Sequence, residues 1–460
     1  MKRISRLLVA NRSEIAVRII RACRDLGIKT ILAASEADRD SLPAQMADRV
    51  VCIGPPPPAE SYLKVGTMIM AAAGTGAEAI HPGYGFLAEQ PELPEACARY
   101  GLIFVGPQAE QIRQMGDKIV ARQMAESLGI PVIPGSGLVQ NLDETITAAE
   151  KIGYPVLLKA AAGGGGRGMK MARQPEDLKI ILAEAGAEAH AAFGDSRLYL
   201  ERFIPTARHI EIQIMGDRYG NLVHLGERDC SLQRRYQKML EEAPSPALSP
   251  ELRAEMGKAA LALARQIQYE NAGTVEFILD PDEKKFYFLE MNTRIQVEHP
   301  VTEMITGIDI VKEQIRIASG QPLSFSQQEV QPRGHSIECR INAESPQQGF
   351  SPCPGRINLW NPPLGARIRV DTHGHQGYFV PPYYDSLLAK VITWGQNRLE
   401  AIGQMQKALR DFVVSGVDTT IPFHRFLLRN PAFIQGAIHT RWIEDLLLKE
   451  FEQNAGNNLC

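Results

Sequence analysis

The sequence has no long apolar run and no excess of charge of either sign. No apolar stretch among its 460 residues approaches the roughly 18 that a membrane-spanning helix needs. The run from Leu7 to Ala10 is too short for the core of a signal peptide. Lys plus Arg number 50 and Asp plus Glu number 53, a formal charge of −3. We therefore expect a cytoplasmic protein with neither a nucleic-acid nor a membrane partner.

Paired cysteine motifs are also missing. The seven cysteines are scattered, their number is odd and none belongs to a C-x-x-C pair. This pattern argues against a disulfide framework and against a structural zinc site. The sequence predicts free thiols in a reducing compartment.

Two common nucleotide-binding motifs are absent from the places where they would be expected. Strand signals at Arg6 to Ala10 and Lys29 to Ala34 flank a helix that starts near Ser13, which indicates a βαβ unit. The turn before this helix reads Asn11-Arg12-Ser13-Glu14, without glycine, so a dinucleotide site is not expected there. No Walker A sequence occurs at the glycine-rich loop described below.

The length suggests about three domains at roughly 150 residues each, and 44% hydrophobic with 22% charged residues is ordinary for a globular protein. We predict an α/β and α+β chain with an N-terminal parallel-sheet domain (1–114), a second domain (115–332) that includes a mobile lid (about 135–205), and a C-terminal mixed β/α domain (333–447). The polar residues 448–460 are expected to form a frayed tail.

A glycine-rich loop follows the apolar segment Tyr154 to Leu158. It reads KAAAGGGGRGMK from Lys159 to Lys170. Consecutive glycines allow backbone N–H groups to converge on phosphate oxygens, and Lys159, Arg167 and Lys170 add positive charge. The alternative is a flexible linker, but such linkers seldom carry flanking cations. We interpret the segment as a phosphate-binding loop.

Two carboxylates are expected to face each other on a hairpin. The strand-like segments are TVEFILD, which ends at Asp280, and FYFLEMN, which starts at Phe286. If Asp280 pairs with Phe286, Glu276 lies opposite Glu290. Opposed carboxylates repel one another, so a cationic group should lie between them.

The same hairpin face offers oxygen ligands for a divalent metal. Asn292 and Arg294 share the face of Glu290, because side chains alternate along a strand. A set of two Glu and one Asn beside a phosphate loop suits Mg²⁺ or Mn²⁺. The alternative is a solvated hairpin face.

An anion site with a base is predicted next to this hairpin. Arg294, Gln296 and Glu298 follow it directly, and Lys238 lies upstream in QRRYQK. The alternative is a solvated basic face made of Arg228, Arg234, Arg235 and Lys238.

From about Arg6 to Leu447, the chain resembles the biotin carboxylases of the ATP-grasp superfamily. Eight motifs in order carry the resemblance: ANRSEIAVRIIRA, HPGYGFLAE, MGDK, GGGGRGMK, ERDCSLQRRYQK, EMNTRIQVEHPVTE, GHSIECRINAE and PPYYDSLLAK. The resemblance implies a pre-ATP-grasp domain, an ATP-grasp domain with its lid, and a biotin carboxylase C-terminal domain. It also implies a ligase that forms carboxyphosphate from ATP and bicarbonate and then carboxylates biotin.

The resemblance further implies a role for each matching position. Bicarbonate would be bound by Lys238, Arg294, Gln296, Val297 and Glu298, with Glu298 as the base. Arg340 and Asp385 would lie on the biotin side, and Arg294, Glu298, Lys238 and Arg340 would be the catalytic set. Glu276, Glu290 and Asn292 would hold Mg²⁺ or Mn²⁺ at two sites. ATP would contact Lys118, Lys159, Gly165, Gly166, Met169, Glu201, Arg202, Phe203, Ile204, His209, Gln233, Tyr236, Glu276 and Glu290.

Four positions depart from the family pattern. Ser13 stands where glycine is usual, Tyr236 where histidine is usual, Ala162 where glycine or serine is usual, and Thr420 where asparagine is common. Only Tyr236 is near the chemistry, where it bears on nucleotide contacts.

The resemblance implies partners in trans and a homodimer. The partners would be a biotin carboxyl carrier protein and carboxyltransferase subunits. Lys170 lies in the one Met-Lys-Met of the sequence, the core of a biotin attachment site, but in a loop that is expected to bind phosphate. The residues after Leu447 are too few for a carrier domain. We therefore expect biotin to arrive on another polypeptide.

The sequence leaves alternatives both for the carboxylase to which this chain would belong and for its activity. We expect acetyl-CoA carboxylase and thus fatty acid biosynthesis; pyruvate, propionyl-CoA and other biotin-dependent carboxylases share the same half-reaction. A ligase that joins a carboxylate to an amine is a rival, against which RIQVEHP and Arg340 argue. A silent ATP-binding scaffold is a third possibility, but such a protein should have lost some of Lys238, Glu276, Glu290, Arg294 and Glu298.

Overall fold

The N-terminal part of the chain alternates strands and helices around a five-stranded sheet. A computed structural model describes residues 4–162 and 169–457. The strands are β1 (Arg6–Val9), β2 (Lys29–Ala34), β3 (Arg49–Cys52), β4 (Ala79–His81) and β5 (Ile103–Phe104). The helices are α1 (Ser13–Asp25), α2 (Leu42–Met46), α3 (Val65–Thr75), α4 (Glu92–Arg99) and α5 (Ala109–Gly116). All pairings are parallel, in the order β3-β2-β1-β4-β5, which confirms the predicted βαβ unit.

The turn between β1 and α1 joins the N-terminal sheet to the C-terminal part of the chain. Ser13 has φ of +64°, a left-handed conformation that favours glycine. Its Oγ lies 2.9 Å from His373 Nδ1, and Glu14 Oε1 lies 3.1 Å from Lys390 Nζ. The turn that lacks a dinucleotide motif is therefore an interdomain junction.

The described residues at 135–162 and 169–202, within the predicted lid, include a separate four-stranded sheet. After α6 (Lys118–Ser127) come β6 (Gly135–Val139), α7 (Leu142–Ile152), β7 (Val156–Ala160), β8 (Lys170–Ala172), α8 (Pro175–Phe193) and β9 (Leu198–Arg202). The sheet order is β6-β9-β7-β8, and the two helices pack against it through an apolar core that includes Ala149, Leu158 and Leu178. The glycines at 163–168, with Gly165 and Gly166, lie outside the described residues.

The largest sheet has eight strands and continues from the second predicted domain into the third. Its second-domain elements are β10 (Arg208–Gly216), β11 (Leu222–Arg234), β12 (Gln237–Ala243), α9 (Pro250–Gln266), β13 (Asn271–Asp280), β14 (Lys285–Asn292), α10 (His299–Thr306) and α11 (Ile310–Ala318). The third part contributes β15 (His335–Asn342), β20 (Ile368–Thr372) and β22 (Leu387–Gly395) to this sheet. The other strands there lie in two-stranded sheets: β16 (Glu344–Ser345), β17 (Ser351–Pro352), β18 (Gly355–Arg356), β19 (Leu359–Asn361) and β21 (Phe379–Val380). The antiparallel order β14-β13-β10-β11-β12-β15-β22-β20 brings distant segments onto one surface.

Residues 448–457 are helical, which corrects the expectation of a frayed tail for this part of the chain. The last elements are α12 (Arg398–Asp411), β23 (Val413–Ser415), α13 (Ile421–Leu427), α14 (Pro431–Gln435), a π-helical turn (Ile443–Leu447) and α15 (Leu448–Asn457). Phe451 packs edge-on against Phe423 and Phe426, with ring centroids 5.3 and 5.4 Å apart. This apolar anchor holds a helix where the polar composition predicts a loose end.

Short 3₁₀ turns occupy Glu36–Asp38, Pro58–Glu60, Gln327–Glu329 and Pro346–Gln348. The six cysteines within residues 4–162 and 169–457 are free thiols, as expected. None of the helices in that part of the chain is long and apolar enough to span a bilayer.

Candidate active site

Glu276 and Glu290 do lie opposite each other on the β13–β14 hairpin, but by a different register from the expected one. Asp280 pairs with Lys285 rather than with Phe286, so the pairing near the turn is shifted by one residue. A β-bulge between Glu276 and Phe277 reverses the shift. The expected opposition is confirmed, although the pairing from which it was inferred is wrong, because a bulge adds one residue to one strand.

Each of the two opposed carboxylates has its own lysine. Lys118 Nζ lies 2.8 Å from Glu290 Oε2, and Lys238 Nζ lies 3.0 Å from Glu276 Oε1. Burial lowers the pKa of Lys118, but Glu290 and other nearby carboxylates outweigh burial and raise it. The cationic group that the hairpin requires is thus supplied by two ammonium groups, one from α6 and one from β12.

Lys238 is the hub of the site. Its Nζ donates to Glu211 Oε2 at 2.6 Å, to Glu276 Oε1 at 3.0 Å and to Glu298 Oε1 at 2.6 Å. Burial opposes the charge, yet the three carboxylates, Glu211 first, raise the pKa of Lys238 well above its usual value. All three donors of the ammonium group are therefore engaged by carboxylates.

Glu298 is fully buried at the start of α10, between two cations. Lys238 contacts one carboxylate oxygen, and Arg340 Nη2 donates to the other at 2.9 Å. Burial raises the pKa of Glu298, but Lys238, Arg340 and Arg228 together hold it well below its usual value. The carboxylate is ionised at neutral pH and can accept a proton.

Arg294 is held by a residue that sequence reasoning did not single out. Its Nε donates to Glu89 Oε2 at 2.7 Å, and Glu89 Oε1 accepts from the backbone N–H of Thr293 at 3.0 Å. Arg294 also donates to Asn292 Oδ1 and Gln296 Oε1, each at 3.0 Å. Glu89 ends HPGYGFLAE, so a sequence signal was present, but no partner was assigned to it.

The residues expected around adenine and ribose lie beside this cluster. Lys159 and Arg122 both contact the Glu201 carboxylate. Gln233 Nε2 lies 2.8 Å from His209 Nδ1, and His209 Nε2 lies 2.9 Å from Glu276 Oε2.

The remaining expected residues surround these contacts. Arg202 donates to Tyr287 Oη at 3.2 Å, Ile204 is buried, and the Phe203 ring lies 5.6 Å from the Arg441 guanidinium. Tyr236 is half exposed, with φ of +64°, at the turn between β11 and β12. Met169, which precedes β8, is partly buried.

The biotin-side residues are in different settings. Arg340 lies in the cluster, where its Nε donates to Glu241 Oε1 at 2.6 Å. Val297, expected in the neighbouring bicarbonate site, accepts through its backbone carbonyl from Lys390 Nζ at 2.8 Å. Asp385 lies at the edge: its side chain is 64% exposed, and its carboxylate is 4.0 Å from Arg12 Nη1. Of the two expected biotin residues, only Arg340 contacts Glu298.

The hairpin carries oxygen ligands of the kind that a hard divalent cation takes. Glu276, Glu290 and Asn292 present carboxylate and amide oxygens on two adjacent strands. Ligand atoms of His209, Glu211 and Glu276 also lie within 4.8 Å of one another. Burial raises the pKa of Glu276, but Lys238 and His209 hold it well below its usual value, so this carboxylate is ionised. Mg²⁺ and Mn²⁺ favour such oxygen-rich sets.

Several buried charges around the hub were missed by the sequence reasoning. Arg228, considered there as part of a solvated face, is fully buried and donates to Gln213, Thr302 and Thr274 as well as to Glu211. That alternative is therefore wrong for Arg228, because β11 is covered on both faces. The other missed residues are Glu14, Glu211, Glu241, Glu338 and Lys390. Glu211, Glu338 and Lys390 each have an apolar residue on both sides, which is a sequence signal for a buried charge; Glu14 and Glu241 lack it.

Three family models match the chain in succession. "Biotin carboxylase, N-terminal domain" covers residues 3–112, "Carbamoyl-phosphate synthase L chain, ATP binding domain" covers 117–326, and "Biotin carboxylase C-terminal domain" covers 338–445. Together with the fold and the site, these matches define an ATP-dependent ligase of the ATP-grasp type.

Similar proteins with known names narrow this class of ligase to one family. Biotin carboxylase 1 of Bacillus subtilis is 53% identical, covering 96% of this chain and 98% of its own. One of the pyruvate carboxylase subunits of Methanothermobacter thermautotrophicus is 50% identical, covering 96% and 90%. The biotin carboxylase domain dimer of Hydrogenobacter thermophilus 2-oxoglutarate carboxylase, solved with MgADP, ADP and bicarbonate, is 47% identical with a TM-score of 0.94, covering 97% and 98%. The chain belongs to the biotin carboxylase family.

Proposed function

We propose that this chain uses ATP and bicarbonate to form carboxyphosphate and then carboxylates biotin that is bound to a separate carrier protein. The observation that carries the proposal is Glu298, a buried and ionised carboxylate held between Lys238 and Arg340. A base beside an ammonium group suits bicarbonate, whose charge the lysine would neutralise while the carboxylate takes the proton.

Bicarbonate binding requires an exchange of partners at Lys238. Since its three donors are engaged by Glu211, Glu276 and Glu298, a bicarbonate oxygen must replace one of them. Glu298 is the partner to be replaced, because proton transfer from bicarbonate neutralises it. Arg294, Gln296 and the Val297 backbone would complete the anion site.

The ATP site is proposed at the hairpin and the neighbouring sheet. Glu276, Glu290 and Asn292 would hold Mg²⁺ or Mn²⁺, which would neutralise phosphate charge during transfer. Residues 135–205 would cover the nucleotide as a lid and keep water from the labile intermediate. The proposed ATP contacts within the described residues are Lys118, Lys159, Met169, Glu201, Arg202, Phe203, Ile204, His209, Gln233 and Tyr236.

In the second half of the reaction, carboxyphosphate would release CO₂ and phosphate, and phosphate would take the ureido N–H proton of biotin. Negative charge then develops on the ureido oxygen, where Arg340 would stabilise it. Arg340 is suited to this role because Glu241 holds its Nε at 2.6 Å while its Nη2 reaches Glu298 at 2.9 Å.

One assay separates the candidate functions. ADP formation that depends on bicarbonate and rises with free biotin is expected for a biotin carboxylase. A ligase of carboxylates and amines would require an amine instead, and a silent scaffold would form no ADP. Lys238, Glu276, Glu290, Arg294 and Glu298 are all present, and Lys238 bonds directly to Glu276 and Glu298, which favours the first outcome.

A carrier in trans is supported by the setting of Lys170, the lysine of the one Met-Lys-Met. Its ammonium group lies 2.7 Å from Glu188 and 3.8 Å from Glu184 on α8, and it begins β8 beside the glycine-rich loop. Coexpression with a biotin ligase followed by intact-mass measurement should give no adduct. A biotin adduct mapped to Lys170 would refute this proposal.

For assembly, we propose a homodimer that works with a carrier protein and carboxyltransferase subunits of acetyl-CoA carboxylase. The Hydrogenobacter relative is described as a dimer. The relatives include a biotin carboxylase and a subunit of pyruvate carboxylase, and their identities to this chain are similar. The molecule that finally receives the carboxyl group is therefore tested by experiment. Together with the subunits that copurify with it, this chain should carboxylate acetyl-CoA. Carboxylation of pyruvate and not of acetyl-CoA would identify pyruvate carboxylase as the parent enzyme instead.

A further inference from the structure

Glu241 holds Arg340 in the proposed mechanism, but a second buried glutamate beside it, Glu338, has no place there so far. Glu241 on β12 and Glu338 on β15 are direct partners across an antiparallel pair. Side chains at directly opposed positions share one face of the sheet, with Cβ atoms about 5 Å apart. Both residues are 0% exposed. Two carboxyl groups are therefore enclosed side by side in the interior.

Their hydrogen bonding is incomplete for two carboxylates. Glu241 Oε1 accepts from Arg340 Nε at 2.6 Å. Glu241 Oε2 and both oxygens of Glu338 are buried, and among the residues that the structure describes they have no hydrogen-bond donor. A buried carboxylate without a donor is strongly unfavourable. If one of the two groups carries a proton, it becomes a donor to the other.

Neither nearby cation, Lys390 or Arg340, donates a hydrogen bond to Glu338. The Lys390 ammonium group is engaged by Glu14 at 3.1 Å and by the Val297 carbonyl at 2.8 Å. The opposite face of β15 is apolar and packs against α12 through Ile337, Cys339 and Ile341. The charged and titratable groups that act on Glu338 are Glu241 on β12, Arg340 on β15, Lys390 on β22 and Glu298 at the start of α10.

The pKa shifts of the two glutamates agree with a proton shared between them. Burial raises the pKa of Glu338 well above its usual value; Lys390 and Arg340 oppose this effect, and Glu241 and Glu298 add to it. Burial also raises the pKa of Glu241, to about 7, against the opposing influence of Arg340. The proton of this pair thus belongs to both groups and is retained at neutral pH.

We propose that Glu338 is a protonated acid in the resting enzyme, shares its proton with Glu241, and is a positioning residue for Arg340. The pair then carries one negative charge instead of two, which anchors the guanidinium without pulling it away from the ureido oxygen. Loss of the shared proton adds a second charge behind Arg340 and weakens biotin carboxylation. The role assigned to Arg340 rests on the proposed function; the protonation of Glu338 does not.

Infrared difference spectroscopy tests the protonation directly. Spectra of wild type and Glu338→Gln are compared near neutral pH, with exposed Glu255→Gln as the control. We expect a carbonyl band of a protonated carboxylic acid in wild type that disappears in Glu338→Gln and persists in the control. An unchanged band in Glu338→Gln would overturn the proposal, and this measurement needs only folded protein.

Kinetics test the positioning role. Glu338→Ala should lower the biotin-dependent rate about tenfold, the size expected when one buried hydrogen-bonded support is lost. Glu338→Gln, which resembles the neutral acid, should restore most of that loss and remove an alkaline decline of the biotin-dependent rate. The biotin-independent ATP hydrolysis should keep its pH profile in both variants. A Gln variant as impaired as the Ala variant, with the alkaline decline intact, would contradict the role.

A failure of the proposed function can be distinguished from a failure of the proposal for Glu338. If wild type forms no bicarbonate-dependent ADP, the proposed function fails, and the infrared result still decides whether Glu338 is protonated. If Glu338→Ala does not fold, the comparison of wild type with Glu338→Gln across pH replaces it. Loss of the alkaline decline in Glu338→Gln supports the proposal, and its persistence contradicts it.

Discussion

At the scale of single residues, the site is a chain of shared partners rather than a set of separate pairs. Lys238 joins Glu211, Glu276 and Glu298, and Arg340 joins Glu298 to Glu241. A sequence motif identifies such residues but does not show how one cation divides its donors. That division decides which bond must open when a substrate anion enters.

The metal assignment predicts the behaviour of Glu290→Gln. Removing one charged oxygen ligand should raise the Mg²⁺ or Mn²⁺ concentration that half-activates ADP formation, because the amide binds a hard cation less well. Titration of metal against bicarbonate-dependent ADP formation measures this. Asp282→Asn, at the exposed turn of the same hairpin, is the matched control. An unchanged metal dependence in Glu290→Gln would refute the assignment.

The proposed partner of Arg340 predicts a split between two activities. Arg340→Ala should lower biotin carboxylation more than the slow biotin-independent ATP hydrolysis, because only the former places charge on the ureido oxygen. Steady-state assays with and without biotin measure both in one preparation. Equal loss of the two activities would make Arg340 a structural or bicarbonate residue instead.

At the scale of elements, sequence patterns identified the strands and their faces but not their irregularities. The helix at α1 and the strand Lys29–Ala34 follow from apolar spacing, and both formed as expected. The bulge beside Glu276 could not be predicted, because local propensity does not show where one strand has an extra residue. The helix Leu448–Asn457 was missed because its anchor, Phe451, packs on residues distant in sequence.

The contacts of Glu242, at the junction of β12, β15 and α12, predict how the stability of the fold changes with pH. Its buried carboxylate accepts from His335 Nε2 at 2.8 Å and from Arg398 Nε at 2.6 Å. Burial raises its pKa, but these partners lower it overall, from its usual 4.5 to about 2. A depressed carboxyl pKa stabilises the fold above the unfolded value and loses that effect as pH falls to about 2.

Glu242→Gln should therefore lower the free energy of unfolding near neutral pH by about 3 kcal/mol. The difference from wild type should shrink between pH 4.5 and about 2. Denaturant unfolding at a series of pH values measures this, with Glu255→Gln on the exposed face of α9 as control. A difference that is constant across this range would contradict the linkage.

At the scale of the whole molecule, the site exists because one sheet crosses the boundary between two predicted domains. The β12–β15 pairing brings Lys238 and Arg340, about a hundred residues apart, to the same carboxylate. The resemblance supplied the identity of most site residues from sequence alone. It could not supply Glu89, Glu241 or Glu338, whose partners are fixed only by long-range pairing.

The central claim is that Glu298 removes the proton from bicarbonate. Glu298→Gln keeps the shape of the side chain but cannot accept that proton, so bicarbonate-dependent ADP formation should fall about 10²–10⁴-fold. ATP affinity, measured by equilibrium binding on the same folded preparation, should stay within about twofold. Near-wild-type ADP release by Glu298→Gln would contradict the account.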